Sequence, residues 1–396
     1  MSLNDTPSGD RVHIGIFGCR NAGKSSLINA VTGQDLAIVS ETKGTTTDPV
    51  KKAMELLPLG PVLLIDTPGL DDVGDLGELR MAKAYQELNR TDIAVLVVDA
   101  ARGMSREDRV ILERIKKKEI PYLIVMNKAD LLGEIPAESD ADTIYVSAAT
   151  SYHIFELKER IAAKSVEEKA EFPIISDLIS AGDSVVLVVP VDKAAPKGRL
   201  ILPQQQTIRD ILDSDATAVV TKDNTLAETL AAMASPPRLV VTDSQVFEKA
   251  AAIVPETVAL TSFSILFARH KGELFTLAEG AKTLDHLEDG DRILIAEGCT
   301  HHRQCEDIGT VKLPRWLEHH SGKKLVFDFT SGVEFPPDLS AYRLVLHCGG
   351  CTLNRREMMF RVGCAVDAAV PVTNYGIAIS HLTGILPRAM AVFSPR

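Results

Sequence analysis

Val12-His13-Ile14-Gly15-Ile16-Phe17-Gly18-Cys19-Arg20-Asn21-Ala22-Gly23-Lys24-Ser25-Ser26 decides how the first part of this chain folds. An apolar run ends in G-x-x-x-x-G-K-S, and a helix-compatible stretch, Lys24–Thr32, follows at once. Strand, glycine-rich turn and helix in that order are the context this phosphate-binding motif requires. The glycines let the backbone wrap a β-phosphate, so that several N–H groups converge on one anion. Lys24 is expected to neutralise β- and γ-phosphate oxygens and Ser25 to ligate Mg2+. Gly18, Ala22, Gly23 and Ser26 complete the expected nucleotide cradle.

The partners of that loop follow within the first 165 residues. Strands at Pro61–Asp66, Ile93–Asp99, Tyr122–Asn127 and Thr143–Ser147 alternate with helices at Arg106–Lys118 and Ile154–Ser165, as in a doubly wound parallel sheet. Asp66-Thr67-Pro68-Gly69 closes one strand, placing Asp66 near Mg2+ and the Gly69 amide near a γ-phosphate. Asn127-Lys128-Ala129-Asp130 closes another. The Asp130 carboxylate can accept both N–H donors of a guanine edge, which adenine does not supply in that arrangement, and Ser147-Ala148 would back the base. Together these residues resemble the GTPase sequence set, so the expected nucleotide is GTP and the expected reaction its hydrolysis to GDP and phosphate.

Two details resemble one GTPase branch, that of the tRNA-modification GTPase and its ribosome-assembly relatives. Asn21 stands where that branch uses an asparagine to hold K+. Gly44-Thr45-Thr46-Thr47-Asp48 matches its switch I, which makes Thr46 an implied Mg2+ ligand and sets Lys24, Thr46 and Gly69 as the catalytic group. Leu70 occupies the position where Ras-like proteins carry a water-orienting glutamine. A leucine cannot orient water, so slow basal hydrolysis stimulated by K+ is expected.

Beyond a charged, proline-ended stretch near residue 172 a second α/β rhythm runs to about 262, with buried strands and no evident catalytic residues. A small sheet of that kind suits self-association. From about 263 the text changes again: a helix through Arg269–Glu279, a strand at Asp291–Ala296 leading to Cys299, and a strand at Tyr342–His347 leading to Cys348 and Cys351. The C-terminal stretch from Asn354 reads as helical, broken near Pro371. The expected fold is α/β in three domains: a Ras-like GTP-binding domain over 1–172, a small α/β dimerisation domain over 173–262 and an α/β cluster-binding domain over 263–396.

Five of the six cysteines lie in the last hundred residues, a distribution that favours metal or redox chemistry over a disulfide scaffold. Cys299-Thr300-His301 and His347-Cys348-Gly349-Gly350-Cys351 offer three thiolates and two imidazoles. Zn2+ commonly accepts three cysteines and a histidine. A [4Fe–4S] cluster wants four ligands and also takes three cysteines with a weaker fourth. Ligand chemistry leaves both open, and the tandem glycines, free to curl around a bulky group, favour iron.

Cys-x-His, a gap of about 45 residues and His-Cys-Gly-Gly-Cys, placed after a K+-type GTPase, resemble the [FeFe]-hydrogenase maturation GTPases, the HydF family, over the whole chain. The resemblance implies a [4Fe–4S] cluster on Cys299, Cys348 and Cys351, with a fourth position that is labile or held by His301 or His347. It also implies a homodimer and a scaffold or carrier role. The cargo is a diiron subcluster received from two radical-SAM maturases and passed to apo-[FeFe]-hydrogenase. The alternative is an RNA-modification or ribosome-assembly GTPase with a structural zinc site. A net charge of −11 argues against general nucleic-acid binding. The start has no basic stretch followed by an apolar one, and apolar runs are too short to span a membrane, so a cytoplasmic protein is expected.

Overall fold

The computed structural model describes residues 6, 8–33, 49–70, 75–136, 140–164, 173–190, 200–298, 307–332 and 334–393. Thr46, Cys299 and His301 therefore lie outside the described residues. The chain divides into two compact units, Met1–Ala170 and Glu171–Arg396.

In the first unit, β1 (Val12–Phe17) runs through the glycine-rich loop into α1 (Lys24–Thr32). Then come β2 (Val50–Leu56), β3 (Gly60–Asp66), α2 (Asp75–Leu88), β4 (Ile93–Asp99), α3 (Arg106–Lys117), β5 (Tyr122–Asn127), β6 (Thr143–Tyr145) and α4 (Ile154–Ala163). The strand order is β2-β3-β1-β4-β5-β6, with only β2 antiparallel to its neighbour. The central strands are mostly apolar because both faces are covered. Ile14, Ile16, Leu27, Val95 and Leu157 fill one apolar cluster, and Phe17, Leu70, Leu88, Leu96 and Ile111 fill another. Ser105 starts α3 with a capping box, its hydroxyl accepting from Asp108 N–H while Asp108 accepts from Ser105 N–H. β2 was not foreseen: its charged, mostly exposed residues are those of an edge strand.

The second unit opens with β7 (Ser184–Val188), α5 (Leu202–Asp213), β8 (Thr217–Thr221), α6 (Leu226–Ala232), β9 (Leu239–Thr242), α7 (Phe247–Ile253) and β10 (Ala259–Ser262). It continues through α8 (Phe263–Lys271), α9 (Leu274–Ala281), β11 (Arg292–Glu297), α10 (Leu313–Ser321), β12 (Val326–Ser331) and β13 (Leu344–His347). The last elements are α11 (Arg355–Asp367), β14 (Val372–Asn374), α12 (Tyr375–Leu382) and α13 (Leu386–Met390). Two parallel four-stranded sheets result, ordered β10-β9-β7-β8 and β12-β11-β13-β14. They share one core, in which Val186, Val240 and Leu260 of the first sheet join Ile293, Ile295 and Leu346 of the second through Ile265 and Leu277.

The single helix expected through Arg269–Glu279 is two helices instead. The chain leaves α8 at Gly272, whose N–H still bonds Ala268 O, and restarts at Leu274. α8 also begins earlier than expected, capped by the Ser262 hydroxyl, and it packs against α5, α11 and α12. Among the described residues no helix is long and apolar enough to cross a membrane.

Candidate functional site

The glycine-rich loop closes on itself. Lys24 is buried and its ammonium donates to Gly18 O at 2.8 Å and Cys19 O at 2.9 Å. Two carbonyls of the loop thus hold the cation at the start of α1, where phosphate oxygens could take it over. The Ser25 hydroxyl donates to Asp66 Oδ2 at 2.8 Å, bringing together from α1 and the end of β3 the two oxygens that suit Mg2+. Burial is the largest influence on Asp66 and raises its pKa, against lowering by Ser25 and Lys24. A divalent cation would oppose that burial effect, so the pair fits the ion chemically.

Asn127 joins two loops. Its amide Nδ2 donates to Ala22 O at 3.0 Å, and its Oδ1 accepts from Ala148 N–H at 3.1 Å. It is 1% exposed, so it acts as a tie between the phosphate loop and the base loop. Gly23 sits beneath it with φ of +91°, and a Cβ there would come within 2.3 Å of Asn127 Nδ2. Lys128 reaches Asp99 Oδ2 at 2.6 Å, while Asp130 is exposed beyond it in a short 3-10 turn. Ser147 Oγ accepts from Thr150 N–H at 3.1 Å, which shapes the loop carrying Ala148. Asn21 is exposed with φ of +62°, and Ser26 is exposed in the first turn of α1. Gly69 lies against Arg20, whose backbone N would be 3.1 Å from an added Cβ. Leu70 is 3% exposed and packs into the core, so it reaches no bound water.

The second unit brings its cysteine loops to one sheet edge. β11 and β13 are adjacent and parallel, with Ala296 opposite His347, so residue 298 and Cys348 leave the same carboxyl end of the sheet. Cys348 N–H bonds Ala296 O at 2.8 Å, and Thr352 Oγ1 donates to Gly298 O at 3.0 Å. The Cys348 sulfur accepts from Gly298 N–H at 3.0 Å and Gly350 N–H at 3.4 Å. Backbone N–H groups aimed at a sulfur are what a thiolate ligand needs, so the loop fits an iron–sulfur group. Gly350 has φ of +60°, and a Cβ there would meet the Met358 sulfur at 2.5 Å, which requires glycine for the turn. Among the described residues no group of three metal-ligating side chains is assembled, Cys299 and His301 being outside them.

His347 is placed differently from the cysteines. It is 2% exposed, its Nδ1 lies 2.7 Å from Cys348 O and its Nε2 lies 3.1 Å from Arg361 Nη1. Both ring nitrogens are engaged, so ligation by His347 would require breaking one of these bonds. Burial, followed by the Arg361 charge, pushes its pKa down to about 3. Arg361 and its ion-pair partner Glu357 were missed in the sequence, although their i, i+4 spacing on a helix was a usable signal.

A phosphate loop, a Ser–Asp pair suited to Mg2+ and an Asn-Lys-Ala-Asp loop on a doubly wound sheet define a P-loop GTPase domain, joined here to a second α/β unit with a cysteine loop at its strand ends. Residues 13–128 match the family model described as 50S ribosome-binding GTPase. Residues 174–272 match the hydrogen maturase F dimerization domain, and residues 275–392 the hydrogen maturase F tetramerization domain. The chain belongs to the hydrogen maturase F family. The dimerization and tetramerization models point to self-association in the second unit, and the tetramerization part was not foreseen.

The first unit is also similar to other GTPases. The tRNA modification GTPase MnmE of Nitrosomonas eutropha is 36% identical over 159 residues, which is 39% of this chain and 35% of that protein. GTPase Der of Kosmotoga olearia is 31% identical over 191 residues, 43% of each chain. This chain thus spans less than half the length of either relative. Among solved structures, a single-residue variant of Aquifex aeolicus Era bound to GDP.AlF4- aligns with 53% of this chain and 92% of its own at 21% identity and a TM-score of 0.36.

Proposed function

We propose that the chain is a GTP-hydrolysing scaffold of [FeFe]-hydrogenase maturation, carrying a [4Fe–4S] cluster on Cys299, Cys348 and Cys351. The observation that supports it most is the Cys348 loop: it stands beside the strand end leading to Cys299, its sulfur already receives two backbone N–H groups, and it falls inside a hydrogen maturase F domain. In this reading Lys24 leaves the carbonyls of Gly18 and Cys19 for phosphate oxygens, and Ser25, Asp66 and Thr46 hold Mg2+. Asp130 selects guanine while Asn127 holds the two loops at a fixed spacing. Asn21 would hold K+, whose charge would offset negative charge developing on the phosphates, while buried Leu70 orients no water, so turnover is slow in Na+ and faster in K+.

When bound, the cluster would supply an iron position not filled by cysteine, to which a diiron fragment from radical-SAM maturases could attach before transfer to apo-hydrogenase. His301 is the candidate side chain for that position. The backbone N–H groups of Gly298 and Gly350 orient the Cys348 sulfur. Dimer formation through 173–262 is supported by β8, an edge strand with half-exposed Val220.

The test is activation of apo-hydrogenase in a defined mixture with both maturases. Wild-type chain should activate it, Cys348→Ser should not, and Lys24→Ala should lose GTP turnover while keeping its iron. A Cys348→Ser chain that activates as well as wild type would refute the scaffold reading.

A further inference from the structure

Two buried cations hold the cysteine loop, each from a different helix. Lys271, the last residue of α8, is 3% exposed and donates to Cys351 O at 3.3 Å and Leu353 O at 3.0 Å. Arg355 returns the grip, its Nη1 donating to His270 O at 2.9 Å at the end of α8. The end of α8 and the segment after Cys351 are therefore bonded in both directions. Arg361, on α11, is 1% exposed and donates through Nε to Glu357 at 2.8 Å and through Nη2 to Gly332 O at 2.6 Å. Its third contact is the His347 ring at 3.1 Å.

That third contact fixes the histidine. A guanidinium only donates, so His347 Nε2 must accept, the ring proton sits on Nδ1, and Nδ1–H donates to Cys348 O. The chain Glu357–Arg361–His347–Cys348 thus ends on the main chain of one cysteine, as Lys271 ends on the main chain of the other. Arg361 has the buried Glu357 carboxylate as its partner, and Lys271 brings its ammonium to carbonyl oxygens of the loop itself.

We propose that Lys271 and Arg361 are positioning residues of the cysteine loop, with Lys271 also setting the charge felt by an iron–sulfur group bound there. The charge part rests on the cluster reading given above; the positioning part does not. Three thiolates make such a group anionic, and reduction adds one more negative charge, so a buried cation nearby favours the reduced form. Lys271 belongs to the helix that also packs on α5 and on β10 of the first sheet, so it links that sheet to the cysteine loop.

Two measurements test this. In the chain reconstituted anaerobically, Lys271→Gln and Lys271→Met should move the midpoint potential of the EPR-monitored reduction to more negative values, and Lys271→Arg should restore it. The paired variant Glu357→Gln/Arg361→Met should leave the potential near wild type and shed iron to a chelator several-fold faster. In the metal-free chain, Lys271→Met should raise the rate of maleimide labelling at Cys351 several-fold, with far-UV circular dichroism unchanged; should that variant not fold, Lys271→Gln carries both comparisons. An unchanged potential in the neutral variants overturns the charge role, and unchanged labelling overturns the positioning role. A wild-type chain that takes up no iron fails the cluster reading instead, and the labelling result still decides the positioning.

Discussion

Replacing Asn127 by alanine should uncouple the phosphate loop from the base loop. The side chain supplies two hydrogen bonds, to Ala22 O and from Ala148 N–H, at a position 1% exposed to solvent. Each bond contributes about 1 kcal/mol net, and each buried partner left unmatched costs roughly 1–3 kcal/mol more where water does not replace it. Both loops border the nucleotide, so water reaches part of the site, and a total of about 2–4 kcal/mol is expected. If all of it is felt in binding, GTP affinity falls by roughly 30- to 1,000-fold. Asn127→Asp sharpens the comparison: it keeps an acceptor for Ala148 N–H but sets a carboxylate oxygen against the Ala22 carbonyl, so it should bind no better than the alanine variant. Fluorescent GTP titration would measure the affinities, and the unfolding transition that GTP raises would measure stability. An Asn127→Ala chain within threefold of wild-type affinity and unchanged in that transition would show that the tie carries no weight.

Gly23→Ala should abolish GTP binding, because φ of +91° strains any residue with a Cβ and the added atom would collide with the Asn127 amide; retained binding by titration calorimetry would contradict this. His13 is 3% exposed, and burial pushes its pKa down from 6.5 to about 4. Between those values the unfolded chain takes up a proton that the folded chain does not. Stability of the first unit should therefore fall as pH drops from 6.5 toward 4, by at most about 3 kcal/mol. His13→Gln should flatten the pH dependence of the GTP-sensitive melting transition, and an unaltered slope would exclude His13 as its source. Ser25→Ala should weaken Mg2+-dependent GTP binding at least tenfold while leaving Mg2+-free GDP binding little changed, as followed by nucleotide release with and without chelator.

Much of the GTPase unit was legible because its motifs sit where apolar strands end. Val12–Phe17 and Ile93–Asp99 are runs buried on both faces, Tyr122–Asn127 alternates buried with half-buried apolar residues, and such strands announce themselves in composition. β2 did not, since an edge strand with lysines and other charges along it resembles a polar loop. The break between α8 and α9 was hidden because Leu274 and Leu277 continue an apolar pattern across Gly272. Around the cysteines the limit was chemical. His347 beside Cys348 reads as a ligand by spacing, yet Arg361 lies fourteen positions along and claims its Nε2 only once α11 has packed beneath the loop. Lys271 is about eighty positions from Cys351, and nothing local marks it as part of the same site.

The most direct measurement is anaerobic reconstitution with iron and sulfide, followed by metal analysis and EPR of the reduced chain. The scaffold reading predicts a brown protein with about four irons per chain and a reduced-cluster signal, both lost on replacing Cys299, Cys348 or Cys351 by serine. A colourless chain that binds one zinc through the same cysteines and takes up no iron would contradict it.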